Sequence, residues 1–171
     1  MYLGLRHDYQ THKPAADNCF PYDFPIDAVP NALRKMGTIV PTLHFGQCLV
    51  NKYNVGDCCP PHVDSLEYGD VILVYSGCSQ QQIWFDKKGS IKPKNPTTER
   101  GKFTPTKGTV MIDLPVNSVL LLSGKARYAY EHCIPAVSDN RYSLTFRTVN
   151  EGMYQVNRSE RLRHALQQHS G

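Results

Sequence analysis

Punctuation by proline and glycine constrains this chain more than any other feature. Turn signals stand at Pro60-Pro61, Gly77, Gly89, Pro93, Pro96, Gly101, Pro105, Gly108, Pro115 and Gly124. Between them lie only short runs rich in valine, isoleucine, leucine, tyrosine and phenylalanine: residues 48–50, 70–75, 82–85, 109–113, 118–122, 127–130 and 142–149. Apolar runs this short, interrupted about every ten residues, predict strands, and many short strands at even spacing predict a mainly-β sandwich or barrel. Helices are few. Residues 26–36, with Pro30 inside and Gly37 after, hold one short helix on Val29, Leu33 and Met36. The tail from Ser159 to Gln168 carries Leu162, Ala165 and Leu166 at helical spacing, with Ser159 placed to cap it, or is a partly disordered end. The polar, basic stretch 87–107 is expected to be a long exposed hairpin loop or a frayed strand pair, with a substrate-touching loop as the alternative.

The chain has 171 residues, enough for one domain with a core that needs no staples. Its six cysteines, Cys19, Cys48, Cys58, Cys59, Cys78 and Cys133, contain no CxxC pair, which argues against a four-cysteine zinc site or a disulfide framework. They are expected to be reduced thiols of an intracellular protein in the cytoplasm or nucleus, and Cys58-Cys59 to be packing or loop residues. No apolar run approaches the ~20 residues of a membrane span, and the N-terminus lacks the apolar centre of a signal peptide. The net charge of +4 is compatible with an anionic partner and equally with ordinary solubility. A monomer is expected, either as a whole protein or as a domain of a larger chain, a viral polyprotein included.

Chemistry concentrates in Asn51-Lys-Tyr53-Asn-Val-Gly56-Asp-Cys-Cys-Pro-Pro-His62-Val-Asp64. His62 and Asp64 are two apart, so on a strand they point to one face and can converge on one metal ion. Alone, such a pair is a chance event. His132 lies 68 residues beyond Asp64, in another predicted strand, and two histidines with one carboxylate form the open-faced triad of non-haem iron(II) oxygenases. Nine residues after it begins Arg141-Tyr-Ser-Leu-Thr-Phe-Arg147. Alternation puts Arg141, Ser143, Thr145 and Arg147 on one face and Tyr142, Leu144 and Phe146 on the other. A polar face with two arginines suits an anion, and the guanidinium fork matches a carboxylate. The other histidines, His7, His12, His44, His164 and His169, are assigned no metal role.

Asn51-x-Tyr53 with Gly56, His62-x-Asp64, a distant His132 and Arg141-x5-Arg147 together resemble the AlkB-type dioxygenases, in order from about residue 49 to 149. The resemblance implies a double-stranded β-helix, or jelly roll, with one or two short flanking helices. It implies iron(II), 2-oxoglutarate and oxygen as cofactor and co-substrates. His62, Asp64 and His132 match the iron ligands; Asn51, Tyr53, Arg141, Ser143 and Arg147 match the co-substrate side, with no catalytic residue beyond the metal centre. Many members carry asparagine where this chain has Ser143, and the interval from His132 to Arg141 is short, so a loop present in some members is trimmed here. On this basis residues 1–48 form an N-terminal segment, 49–150 the jelly-roll core and 151–171 the tail.

The reaction implied is oxidative removal of N-methyl groups from nucleic-acid bases, releasing formaldehyde, succinate and carbon dioxide. The N-terminal Leu3-Gly-Leu-Arg6-His7-Asp-Tyr9 resembles part of a nucleotide-recognition lid, where Tyr2, Arg6, His7 and Tyr9 would stack on a base or meet phosphate; an exposed strand without that role is the plain alternative. A small lid points to single-stranded RNA or DNA. The same chemistry on a protein side chain, or a non-catalytic nucleic-acid-binding module of the same fold, are the competing readings.

Overall fold

The computed structural model describes residues 2–4, 6–8, 13–15, 45–66, 68–95 and 99–149, the first three stretches as backbone. The segments 26–36 and 159–168, where helices are expected, lie outside the described residues, as does Tyr9. Three short strands come first: β1 (Tyr2–Gly4), β2 (Arg6–Asp8) and β3 (Lys13–Ala15). The body continues with β4 (Phe45–Tyr53), β5 (Cys59–His62), β6 (Tyr68–Gly77), β7 (Gln81–Lys87), β8 (Lys92–Asn95) and β9 (Glu99–Thr104). It ends with β10 (Val110–Leu114), β11 (Ser118–Leu122), the helix α1 (Gly124–Tyr128), β12 (Tyr130–Ile134) and β13 (Arg141–Val149).

Two antiparallel sheets result, one ordered β1-β4-β13-β6-β11 and the other β10-β7-β12-β5. From β4 to β7 each strand enters the opposite sheet from its predecessor, and β11 to β13 do the same after β10 has returned beside β7. That winding is the expected double-stranded β-helix. Tyr53, Ile72 and Leu122 of the larger sheet meet Ile83, Phe85, Leu114 and Ile134 of the smaller one in the layer between them. The reverse face of the larger sheet buries Cys48, Leu73, Tyr75 and Phe146, with Tyr142 and Leu144 beside them, so β6 and β13 are covered on both sides. Side-chain alternation is what sorts one strand's residues into these two layers.

Two local expectations are corrected. Residues 127–130 do not form a strand; residues 124–128 coil into α1 and the strand starts at Tyr130. One turn is too short for hydrophobic periodicity to separate helix from strand, and the buried Arg127 is held there by bonds that a sequence does not display. Conversely, Pro60-Pro61, counted as punctuation, lies inside the strand Cys59–His62. It lies at the edge of its sheet, where proline's missing N–H removes no ladder bond. The segment 87–107 contains the strand pair β8–β9. All five described cysteines are free thiols, and no described helix is long and apolar enough to cross a membrane.

Candidate metal centre

The register of two ladders assembles the site. Across β4 and β13, Arg141 pairs with Tyr53, Ser143 with Asn51 and Arg147 with Gln47. Across β5 and β12, His132 pairs directly with His62. Residues directly opposite on neighbouring antiparallel strands bring their side chains together, and here the imidazole rings lie with centroids 4.4 Å apart. Asp64 stands two residues past the end of β5, in the connection to β6, and not on the strand with His62 as the spacing suggests. It nevertheless reaches the pair: its Oδ2 is 3.6 Å from His132 Nε2. Donor atoms of His62, Asp64 and His132 all lie within 4.8 Å of one another, so these three could hold a metal ion.

The electrostatics of Asp64 and His132 suit a cation. Burial, the largest influence, works against the Asp64 carboxylate's charge, but Arg147, His132 and His62 together outweigh it and the group is held down at about 2. Arg147 Nη2 donates to Asp64 Oδ1 at 2.5 Å and Nη1 to Gln47 Oε1 at 2.6 Å. Burial and the neighbouring His62 push His132 down to about 4, so its imidazole is neutral with a lone pair to offer. Burial also opposes a charge on His62, yet its contact with Cys59 and the nearby Asp64 carboxylate raise it to about 9. His62 Nδ1 lies 2.8 Å from the Pro60 carbonyl. Donation of Nδ1–H to that oxygen leaves Nε2 as the ligating nitrogen, the usual way an outer contact orients a metal-binding histidine.

The same cavity, about 940 Å³, is lined at its other end by Asn51, Tyr53, Arg141 and Ser143. Arg141 is 2% exposed, and its Nε and Nη1 have no hydrogen-bond partner, while Nη2 donates to the Ser76 hydroxyl at 3.2 Å and the Tyr53 hydroxyl lies beside the guanidinium. Its guanidinium lies 5.1 Å from the centre of the Tyr53 ring, and burial pushes the Tyr53 hydroxyl up to about 12. A buried cation with two idle donors beside a neutral phenol is a receptor for an anion with more than one oxygen. Both implied groups therefore fit: the donor trio suits iron(II), and the idle guanidinium suits the far carboxylate of 2-oxoglutarate.

Arg6 and His7 lie on β2, which pairs with β3 in a separate two-stranded sheet, and their side chains lie outside what the structure describes. Two contributors went unread in the sequence. Gln47 is fully buried and bridges Arg147 to the Tyr68 hydroxyl. Arg127, 1% exposed, reaches from α1 to the backbone carbonyls of Asp64 at 2.9 Å and Ser65 at 2.5 Å, clamping the turn that carries the carboxylate. Strand alternation, which puts Gln47 on the face of Asn51 and Tyr53, was the signal for Gln47. Arg127 left none, because its partners are backbone atoms.

Residues 3–158 match the 2OG-Fe(II) oxygenase superfamily. Over 119 residues the chain is 37% identical to the RNA demethylase ALKBH9B of Arabidopsis thaliana, an alignment covering 70% of this chain but 22% of that protein, so the chain spans about a fifth of its curated relative. Among solved structures, a prolyl hydroxylase from Trichoplax adhaerens, in complex with a hypoxia inducible factor oxygen degradation domain peptide, shares 16% identity. It aligns with a TM-score of 0.44 over 64% of this chain and 46% of that one.

Proposed function

Because the chain belongs to the 2OG-Fe(II) oxygenase superfamily, as an AlkB-type member, we propose that it removes N-methyl groups oxidatively from bases of single-stranded nucleic acid. The observation that carries the chemistry is the cavity in which the trio His62, Asp64 and His132 faces the idle guanidinium of Arg141. Resemblance to an RNA demethylase supports nucleic acid as the substrate.

When bound, iron(II) and 2-oxoglutarate supply, with oxygen, the oxidising power that places a hydroxyl on an N-methyl carbon, 2-oxoglutarate leaving as succinate and carbon dioxide. The hydroxymethyl product then loses formaldehyde. The chain's own residues do the positioning. His62, Asp64 and His132 are the residues that would hold the metal. Arg147 and Arg127 fix the Asp64 side chain and backbone, so the ligand does not reorganise as the metal binds. Arg141 and Tyr53 would take the distal carboxylate by charge and hydroxyl donation, with Asn51 and Ser143 beside them in the cavity. The buried β13 face keeps bulk water from the co-substrate. Arg6, His7 and Tyr9 are proposed to meet the base or its phosphate.

The test is release of succinate and formaldehyde by the iron-loaded protein. Short single-stranded RNA and DNA carrying 1-methyladenine, 3-methylcytosine or N6-methyladenine are offered, with His62→Ala as control. Oligonucleotide-dependent formaldehyde that vanishes in the variant is expected. Succinate without oligonucleotide-dependent formaldehyde moves the substrate to another class, and no metal binding at all overturns the assignment of the trio.

A further inference from the structure

Charge is distributed very unevenly along this chain. Residues 87–107 hold seven basic side chains (Lys87, Lys88, Lys92, Lys94, Arg100, Lys102 and Lys107) and one acidic, Glu99, a net of +6. The whole chain is +4, so everything else together is net −2. The segment folds into the β8–β9 ribbon, and all six of its lysines are exposed. Lys92 pairs with Thr104 across the ribbon, so alternation puts Lys102 on that same outward side, with exposed Lys94 two residues along β8. The other side packs down. A Cβ on Gly101 would stand 2.8 Å from Cys58 Cβ and 2.9 Å from Ala136 Cβ, and the Gly101 carbonyl accepts from Ala136 N at 3.0 Å. Cys58 itself lines the metal-centre cavity, so the ribbon is seated at the rim of the site.

Two of the acids next to this ribbon do not offset its charge. Asp86 is buried and accepts from the Thr106 and Thr109 hydroxyls at 2.5 and 2.6 Å. Glu131 is buried and accepts from the backbone N–H groups of Gly89 and Ile91, both at 2.8 Å. Both carboxylates are spent inward, anchoring the base of the ribbon in a fixed orientation. Like charges gathered on one ribbon face repel one another, an arrangement that becomes favourable when a polyanion lies along it. Successive phosphates of a flexible single strand match that requirement, releasing counterions as each lysine is engaged.

We propose that the outward face of the β8–β9 ribbon is a track for the phosphate backbone of single-stranded nucleic acid, leading the strand past the cavity mouth so that one base can turn in. This rests on the demethylase reading above. Lys92 and Lys94 are the core of the track, with Lys87, Lys88 and Lys107 extending it at the ribbon's base.

The experiment is fluorescence anisotropy of a labelled single-stranded RNA of about 20 nucleotides against the full chain, in salt from about 50 to about 200 mM. The wild type is compared with the double variant K92E/K94E and with K125E, a charge reversal on the exposed helix residue Lys125. At the lower salt the double variant is expected to weaken binding about tenfold or more and to flatten the salt slope by about 1.4, two single-strand phosphate contacts. K125E should leave both within a factor of about two, and melting curves of all three should coincide. Wild-type affinity and slope in the double variant overturn the track, as does an equal loss in K125E. If the wild type demethylates RNA yet shows no ribbon effect, only the track fails. If it binds no nucleic acid under any condition, the substrate assignment fails with it.

Discussion

Strand β13 carries two buried arginines, six residues apart on one face, and they live in opposite circumstances. At the metal end, Arg147 gives one nitrogen to Asp64 and another to Gln47, and the protein supplies its counter-charge. At the far end, Arg141 is as deeply buried, yet its nearest partners are neutral and two of its nitrogens donate to nothing. Burying a charge without a partner is unfavourable by several kcal/mol. Such a residue at the bottom of a cavity is the one proposed to meet a ligand's carboxylate. The first arginine belongs to the architecture and the second to the ligand, and substitutions at the two should separate stability from binding.

The largest effect is expected at the closed end. Arg147→Met leaves the Asp64 carboxylate buried with its main counter-charge gone, so the metal-free protein should lose about 3–5 kcal/mol in urea unfolding. A loss below about 1 kcal/mol would show that the ion pair is not what holds this corner. At the open end the signs should part. Arg141→Met removes an uncompensated buried charge, so the metal-free protein should hold its stability or gain about 1 kcal/mol. The affinity of the metal-loaded protein for 2-oxoglutarate, titrated by calorimetry, should meanwhile fall about a hundredfold, since a buried charge pair is broken in the complex. If Arg141→Met destabilises the protein as much as Arg147→Met, the two ends are alike and the contrast collapses.

Acid sharpens the same contrast. The Asp64 carboxylate is held at about 2, below its ordinary 3.8. A folded value below the unfolded one means that its stabilisation is fully present above the unfolded value and lost as pH falls through the folded one. The metal-free wild type should therefore carry about 2 kcal/mol at about pH 5 that has largely gone at about pH 2. Asp64→Asn should lack that part of the acid limb, and Arg147→Met should flatten it, because burial alone raises the carboxylate. Arg141→Met should leave it unchanged.

How much of this was legible in the sequence depends on what kind of partner each residue has. Strand alternation was enough to put Arg141, Ser143, Thr145 and Arg147 on one face, because a period of two survives any register. His62 and His132 were nameable, but their direct pairing across β5 and β12 was not, since register is set by the whole ladder. Asp64 was expected at the site for an inexact reason: it arrives from a turn, steered by Arg147 and the Arg127 clamp, and not from strand spacing. Arg127 was invisible because backbone carbonyls have no residue identity to read, and the same contact explains why a predicted strand became α1. The double proline of β5 misled for a complementary reason, as an edge strand forgives what a central one cannot.

The smallest expected effect tests whether the open end is more than a bare cation. Tyr53 faces Arg141 directly across β4 and β13, with its ring beneath the guanidinium and its hydroxyl kept neutral by burial. The ring's packing, shared with Ile72, Ile83 and Phe85, belongs to the core between the sheets. The hydroxyl points instead to the Arg141 and Ser143 side chains. Tyr53→Phe keeps the ring and its attraction for the guanidinium and removes that one O–H. Metal-free stability should shift by no more than about 1 kcal/mol, while the 2-oxoglutarate Kd should rise by about 1 kcal/mol or somewhat more, roughly five- to tenfold. The direction of the double variant then decides how the two act. If Arg141 and Tyr53 grip the same carboxylate, the loss in Tyr53→Phe/Arg141→Met should be smaller than the product of the separate losses, because without the arginine the ligand is no longer held where the hydroxyl can reach it. Strictly multiplicative losses would assign Tyr53 to a different part of the ligand, and the open end of β13 would then consist of Arg141 alone.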